Sequence, residues 1–445
     1  MAKGIESSPD ELNNLLRLFA SNDLQSVRRL LADFEHRMNA ESPSDEEAAL
    51  YLRVSSEWFK RNQFTEAQSL LVRATQRFPA DFSLAFNLAA CHARQSHFQQ
   101  ALDALNPQFE AQISSQNCSI KVSSLLAHCF GEVGQVELSR NYGNYCLQLK
   151  DAKYSVPKPQ LAKKAGPIKF RPEAYNVIAF SLFGNEPKYC ETAIVNAEQA
   201  LKVYPGWICR FYCDETVPSL IRHRLVKLGA EVVLSTANNE TEKYFWRFKV
   251  ASDPAVSHFL VRDADSVVSQ READAVQEWL HSGQLFHVMR DYWSHTELIL
   301  AGMWGGVAGA VASIETNIQQ FLAKYPSPMS NKDQVFLAEV IWPQIRQQHL
   351  AHDRVFNLLG SQPFPSKQGA GNDVHIGQYR AGLQFGGTLN DVSRHCNWRL
   401  YQGDKLLADY VTRLSSDGSW QAHLPAEYQS RIESGEYHLV SRGTT

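Results

Sequence analysis

The chain reads as an α/β protein, with a mostly parallel sheet preceded by an all-α helical repeat and followed by a small β-rich end. Three observations predict this. Small residues recur 34 positions apart in matching apolar surroundings, at Ala67 and Ala101. Between residues 176 and 261, short apolar runs alternate with amphipathic stretches. Past residue 380 the helical period gives way to alternating runs flanked by Gly and Asp.

The repeat comes first in the chain. Its clearest copy, Ala48 to Asp81, carries Tyr51, Val54, Ser55, Trp58, Ala67, Leu71, Ala74 and Pro79. The next begins at Phe82 and continues through Ala85, Leu88, Ala89, His92, Ala101 and Leu105. Two antiparallel helices approach closely only where small residues face each other, and Pro ends the second helix. Weaker copies flank these, over 12–38 with a turn at Ser21-Asn22-Asp23 and over 120–149 with a turn at Gly131–Gly134. The pattern resembles tetratricopeptide repeats, whose terminal copies are atypical because they cap the stack. That resemblance implies a surface that docks a peptide or protein, or else a packing or dimerisation module.

The 445 residues include 44 Lys+Arg and 47 Asp+Glu, for a net charge of −3. That balance excludes a dedicated nucleic-acid binder, which carries a basic excess. The charge is unevenly spread. Residues 1–149 carry net −4, residues 172–445 net −5, and residues 150–171 net +6. The short basic stretch holds three Pro and one Gly, so it reads as an exposed linker. The domain plan is therefore 1–149 repeat, 150–171 linker, 172–380 α/β domain and 381–445 β-rich domain.

The α/β elements follow in order. Asn176–Phe183 is an apolar strand, Ala193–Val203 a helix stopped by Pro205-Gly206, and Trp207–Cys213 a second strand. Pro218–Leu228 is helical, Glu231–Leu234 a third strand, Phe245–Val250 helical and His258–Val261 a fourth strand. This alternation implies parallel strands covered by helices on both faces. No GxGxxG or GxxxxGK[ST] run follows the first strand, which disfavours a dinucleotide fold and a P-loop.

The fourth strand ends at Arg262-Asp263-Ala264-Asp265-Ser266. In open parallel sheets ligands bind outside the carboxyl ends of strands. Residues i and i+2 of an extended chain point the same way, so Asp263 and Asp265 converge. Two hard carboxylates suit a divalent cation whose remaining ligands are phosphate oxygens. Such a cation neutralises charge on a departing diphosphate.

Around this motif stand Arg271-Glu272, His287-Val288-Met289-Arg290-Asp291, His295 and Gly302-Met303-Trp304-Gly305. Further motifs are AFSLFG (179–184), YPGW (204–207), FWRF (245–248), DQVFL (333–337), His352-Asp353 and Pro363-Phe364-Pro365. Taken together they resemble bacterial GT-A-type glycosyltransferases related to nucleotide-diphospho-sugar transferases, over about residues 174–378. The resemblance implies a GT-A-like domain with the following roles. Asp265 would bind Mn²⁺ or Mg²⁺, and Asp263 the ribose or the metal's water shell. His352 would complete the metal site, with His349 and His375 as rivals. Phe180, Ser181 and Leu182 would line the nucleoside pocket. Arg247 and Arg262 would hold the diphosphate or orient the carboxylates. Gly302, Met303, Trp304 and Gly305 would shape the sugar pocket, with Trp304 offering its flat face. Asp333 would act as general base or position the acceptor, beside Gln334. Asp291 is the runner-up base, and His295 an acceptor contact.

Near the end, Trp398–Tyr401 and Leu406–Val411 flank Gly403-Asp404 as a hairpin, and Ser419–Leu424 and Gly435–Ser441 read as two more strands. The apolar run Leu298–Ala312 is shorter than the ~20 residues of a membrane helix and Gly-rich, so it reads as buried. The N-terminus shows no basic region followed by an apolar one, and the eight cysteines include no CxxC pair. Both features favour a cytoplasmic protein with reduced thiols.

The expected activity is metal-dependent transfer of a sugar from a nucleotide sugar, UDP-linked by preference, to a hydroxyl. The repeats point to a protein acceptor, and homo-oligomerisation is compatible with them. Assembly of cell-envelope polysaccharide is the alternative acceptor chemistry. A non-catalytic repeat scaffold with a degenerate sugar-nucleotide domain is the alternative class.

Overall fold

A computed structural model describes residues 9–38, 42–105, 109–114, 118–155, 173–327, 329–358, 360–366, 374–379, 382–389, 394–415 and 417–441. The chain divides into two compact units, Met1–Leu149 and Lys150–Thr445. Most of the basic stretch, residues 156–171, lies outside the described residues. Its first residues continue the helix Val136–Tyr154.

The first unit is helical. Pro9–Ala20 pairs with Leu24–Met38, Asp45–Lys60 with Phe64–Arg77, Phe82–Arg94 with Phe98–Ala104, and Ile120–Glu132 is followed by Val136–Tyr154. Each of these four pairs is joined by three residues whose middle one is left-handed: Asn22 (φ 57°), Asn62 (58°), Ser96 (59°) and Gly134 (80°). Asn and Gly tolerate that conformation best, so the turn chemistry recurs with the helices. Helix starts are capped where the sequence supplies an acceptor. Ser44 Oγ accepts from Glu47 N at 3.2 Å, and Asp81 Oδ1 accepts from Ser83 N and Leu84 N at 2.8 and 3.0 Å. The repeat's signature residues Tyr51, Val54, Trp58, Ala67, Leu71 and Ala74 are all buried, as their spacing predicts.

The second unit is built on a seven-stranded sheet. Its strands are β1 (Tyr175–Leu182), β2 (Trp207–Cys213), β3 (Glu231–Leu234), β4 (Val256–Val261), β5 (Phe286–Arg290), β6 (Trp304–Val307) and β7 (His349–Asp353). Their order across the sheet is β3-β2-β1-β4-β6-β5-β7. Only β6 runs antiparallel to its neighbours β4 and β5. β6 enters between them because it carries glycine. A Cβ on Gly305 would lie 2.5 Å from Phe259 O, and one on Gly306 2.6 Å from Phe286 Cδ1. The first four strands lie within two residues of their sequence assignments. The first helix of this unit starts earlier than expected, at Pro187 rather than Ala193, because Pro at the first helical position sets it.

Strand order reverses between β1 and β4: the chain moves outward from β1 through β2 to β3, then returns to the other side of β1. Such a switch point leaves a crevice outside the carboxyl ends of the two strands. Ser181 to Phe183 and Asp263 to Asp265 both sit there.

The C-terminal strands form β9 (His395–Gln402), β10 (Lys405–Arg413) and β12 (Tyr437–Ser441) in one antiparallel sheet, and β8 (Leu383–Thr388) with β11 (Ser419–Leu424) in another. The predicted turn at Gly403 has φ 53°. These strands share one apolar core with the helix Pro187–Val203: Trp398, Leu400, Tyr410 and Trp420 belong to the same cluster as Ile194 and Phe211. At this junction Glu191, fully buried, accepts from Arg224 Nη1 at 2.9 Å and from the hydroxyls of Tyr410 and Tyr428, each at 2.7 Å.

Candidate functional site

A cavity of about 660 Å³ opens at the β1/β4 switch point, within the range typical of ligand pockets. Its lining includes Ser181, Leu182, Tyr189, Arg247, Asp265 and Tyr379. The strand ends supply its floor. Ser181 and Leu182, the last residues of β1, and Phe183 just beyond it reach the cavity, while Phe180 stacks on Phe211 with ring centroids 4.7 Å apart. Phe180 therefore belongs to the core, not to a nucleoside pocket. Phe183, just past the strand end, reaches the cavity in its place.

Three carboxylates face the cavity: Asp263, Asp265 and Asp333. Asp333 arrives on a separate element, the short helix Lys332–Phe336, so its meeting with the strand-end pair is a tertiary event. Between them lies one cation. Arg247 Nη1 pairs with Asp263 Oδ1 and donates to Arg262 O at 3.0 Å, while Nη2 reaches Asp333 Oδ2 at 3.2 Å. Its backbone N–H donates to Ser181 Oγ at 3.1 Å. Burial alone would lower the Arg247 pKa, and the neighbouring Asp263 and Asp333 more than offset it. Arg247 and Lys188 act on Asp265 only through space and lower it less than its surroundings raise it. Burial first, then the charge on Asp263, push its carboxyl up to about 6. Burial also raises Asp333, against the pull of Arg247.

Arg262 lies elsewhere. It is 2 % exposed and donates from Nε to Glu272 at 3.1 Å and from Nη1 to the carbonyls of Val261 and Trp304 at 2.9 and 3.3 Å. It ties the strand end to the helix Gln270–Ser282 and does not reach a diphosphate in the cavity.

The glycine-tryptophan segment also divides. Trp304 is fully buried, edge-on to Phe248 and Phe259 at 5.8 and 5.2 Å, so it offers no face to a sugar. Gly305 serves strand packing, as described above. Met303 packs with Met289, Phe364 and Ile376 beneath the cavity's outer wall. Gly302 alone touches the acids: a Cβ there would fall 1.9 Å from Asp263 Oδ2. Gln334 holds the preceding backbone, accepting from Ala301 N at 2.5 Å and donating to Ile299 O at 2.8 Å.

The histidines expected at the metal lie in other environments. His352 is fully buried on β7, with Nδ1 2.7 Å from His287 Nε2 and Nε2 3.3 Å from Glu278 Oε2. His349 Nδ1 faces Arg346 O at 2.9 Å. His375 stacks on Tyr292, ring centroids 4.0 Å apart, and meets His295 edge-on at 5.1 Å. Among the described residues, no group of three His, Cys, Asp or Glu is gathered in a way that could hold a metal. His352 therefore does not complete a site with the aspartates. β7 is the far edge strand, separated from β4 by β6 and β5, which a linear reading does not reveal. Burial, then the His352 ring, hold His287 well below the ordinary histidine value, and burial lowers His352 despite Glu278.

The unfolded chain takes up protons on these rings near pH 6.5 while the folded one does not, so stability is lost as pH falls below 6.5 toward the depressed folded values. Thermal melts from pH 7.5 to 5 should show this fall. In His287→Gln, one titrating ring fewer, the fall should be shallower, and an unchanged slope would reject the assignment.

Asp291 is not available as a base either. Fully buried, it pairs with Arg271 and with Arg354 Nε at 3.0 Å, and Oδ2 accepts from Ile376 N at 2.9 Å. His295 accepts from Asp291 N through Nδ1 at 3.0 Å. Both residues are structural supports outside the cavity lining. The sequence reading passed over Tyr189, Tyr244 and Tyr379, which add aromatic wall to the cavity. Lys188 lies over the rings of Tyr189 and Tyr379 at 4.9 and 5.8 Å. Tyr189 lies two residues after Pro187, in the first turn of the helix that Pro187 opens.

No protein-family profile matches the chain, and no curated protein sequence matches it. Among solved structures it is similar to a glycosyltransferase involved in the glycosylation of the major capsid of PBCV-1, with 16% identity over 40% of this chain and 82% of that one, TM-score 0.28. It is also similar to a mutant O-GlcNAc transferase from Thermobaculum terrenum, with 13% identity over 58% of this chain and 47% of that one, TM-score 0.32. The chain thus spans about half the length of the latter. Similarities this loose identify no family. No helix among the described residues is long and apolar enough to cross a membrane.

Proposed function

We propose that this chain is a divalent-cation-dependent glycosyltransferase that moves a sugar from a UDP-linked donor to a hydroxyl group. One observation carries the reading: two carboxylates one residue apart, Asp263 and Asp265, line a cavity at the strand-order switch point of a mostly parallel sheet. The residues fit a cation shared with a substrate. Asp263, Asp265 and Asp333 outnumber the cations Arg247 and Lys332 in the lining, and burial, then the charge on Asp263, raises the Asp265 carboxyl. Two carboxylates without a third protein ligand suit Mg²⁺ or Mn²⁺ completed by phosphate oxygens and water.

When bound, such a cation supplies charge neutralisation for the departing nucleotide diphosphate. The chain's own residues do the rest. Asp265 and Asp263 would hold the cation. Arg247 keeps Asp263 and Asp333 in register across the floor. Asp333, raised by burial and oriented by Arg247, is the carboxylate placed to take the acceptor hydroxyl's proton. Tyr189, Tyr244 and Phe183 provide flat apolar surface for the nucleoside. The test is a panel of nucleotide sugars with detection of released nucleotide. Release from a UDP-sugar that requires added Mn²⁺ or Mg²⁺ is expected. No release from any donor would sink the enzyme reading and leave the scaffold.

The helical repeats of the first unit favour a protein acceptor. Incubating the full chain with radiolabelled donor and a lysate of the source cells separates the choices. Label in a protein band supports this reading, and label confined to lipid or glycan fractions overturns it.

A further inference from the structure

Asp263 is restrained on both sides by two consecutive residues of one turn. On the Oδ1 side, Asp263 pairs with Arg247, whose other terminal nitrogen reaches Asp333 Oδ2 at 3.2 Å. On the Oδ2 side stands Gly302, where a Cβ would lie 1.9 Å from Oδ2 and 2.5 Å from Cγ. The backbone leading into Gly302 is held by the next residue along, Gln334, whose amide is used at both ends: Oε1 on Ala301 N at 2.5 Å and Nε2 on Ile299 O at 2.8 Å. The turn carrying both residues is itself anchored. Asp333 Oδ1 accepts from Gln334 N at 3.0 Å, and the buried Lys332 donates to the carbonyls of Tyr325 and Ser327 at 2.8 and 2.9 Å.

We infer that Asp333 and Gln334 form a two-sided clamp that sets the rotation of the Asp263 carboxylate, and that Gln334, which need not touch any ligand, is a positioning residue for a divalent cation carried by a nucleotide diphosphate. This rests on the cation-dependent reading of the cavity. The terminal torsion of an aspartate is soft, so an unrestrained carboxylate samples many orientations and loses them on binding. Groups that orient a metal ligand without touching the metal are typically worth ~10–100-fold in metal affinity. Arg247 fixes the charge side of the carboxylate and Gly302 its steric side. The steric side depends on residues 299–301 keeping their place, and Gln334 is what holds them.

The test uses the full chain and calorimetric titration with MnCl₂, alone and with saturating UDP, alongside melts without metal. Wild-type chain is expected to bind Mn²⁺. Gln334→Ala is expected to bind it ~10–100-fold more weakly, with UDP failing to restore the loss and with a cooperative metal-free melt at a lower midpoint. Gly302→Ala, which pushes on Asp263 directly, is expected to lose Mn²⁺ binding while keeping a cooperative melt. Mn²⁺ affinity in Gln334→Ala within twofold of wild type overturns the clamp. If Gln334→Ala does not fold, Gln334→Glu, which keeps an acceptor for Ala301 N and loses the donor to Ile299 O, decides by the same criterion. Absence of Mn²⁺ binding by the wild-type chain, with or without UDP, instead overturns the cation-dependent reading itself.

Discussion

Asp265→Asn is expected to abolish divalent-cation-dependent UDP binding and to lower sugar transfer by about 10²–10⁴-fold, the several kcal/mol that a metal's charge neutralisation supplies. The same substitution should stabilise the metal-free protein. Burial and Asp263 raise the Asp265 carboxyl from 3.8 to about 6. The folded state thus holds a proton that the unfolded chain has released between those values. At pH 7 the ionised group works against folding, by about 1–3 kcal/mol. Asparagine removes that penalty, so the gain should be full above pH 6 and fade toward pH 4. Opposite signs on function and stability separate a ligand role from a packing role. Calorimetry with UDP and Mn²⁺, paired with denaturant unfolding at pH 7 and pH 4.5, measures both. Intact metal-dependent binding, or a destabilised variant at pH 7, would refute the assignment.

Glu191→Ala should destabilise the protein by about 3–5 kcal/mol. Glu191 is fully buried and accepts from Arg224 and from two tyrosine hydroxyls on the C-terminal strands and their connection. Truncation leaves a guanidinium only 12% exposed without its counter-charge, and two buried hydroxyls without an acceptor. Glu191→Gln keeps an acceptor oxygen and should cost clearly less. Denaturant unfolding followed by tryptophan fluorescence reads both, since Trp398 and Trp420 lie in the same core. Equal stability for the alanine variant and wild type would mean that the C-terminal strands do not depend on this junction.

These two residues mark where a linear reading succeeds and where it stops. Asp265 was legible because its signal is local: an apolar strand, then two acids one residue apart beyond its end, although the chain turns at Ala264-Asp265 where extended spacing was expected. The repeat was legible for the same reason, since its 34-residue interval and its left-handed turns at Asn62 and Ser96 are short-range features. Glu191 was not, because nothing near it in the chain announces partners at Tyr410 and Tyr428. Phe180 was misassigned because it lies deeper in β1, where its ring stacks on Phe211. His352, Asp291, Arg262 and Trp304 carry plausible chemistry, yet each spends it on a buried partner: His287, Arg271, Glu272 and Phe259.

Local pattern was enough to specify the α/β class, the first four strands, the helical pairs and the paired aspartates, because periodicity, capping and turn residues act over a few positions. It could not specify the order β4-β6-β5-β7, the arrival of Asp333 opposite Asp263, or the withdrawal of His352 to a far edge strand. Those depend on which strands become neighbours, and neighbours are chosen by burial and by close-approach glycines such as Gly305, summed over the whole sheet. A functional side chain is identified by its type, but whether it serves a ligand or a buried partner is settled by what the folded chain places beside it.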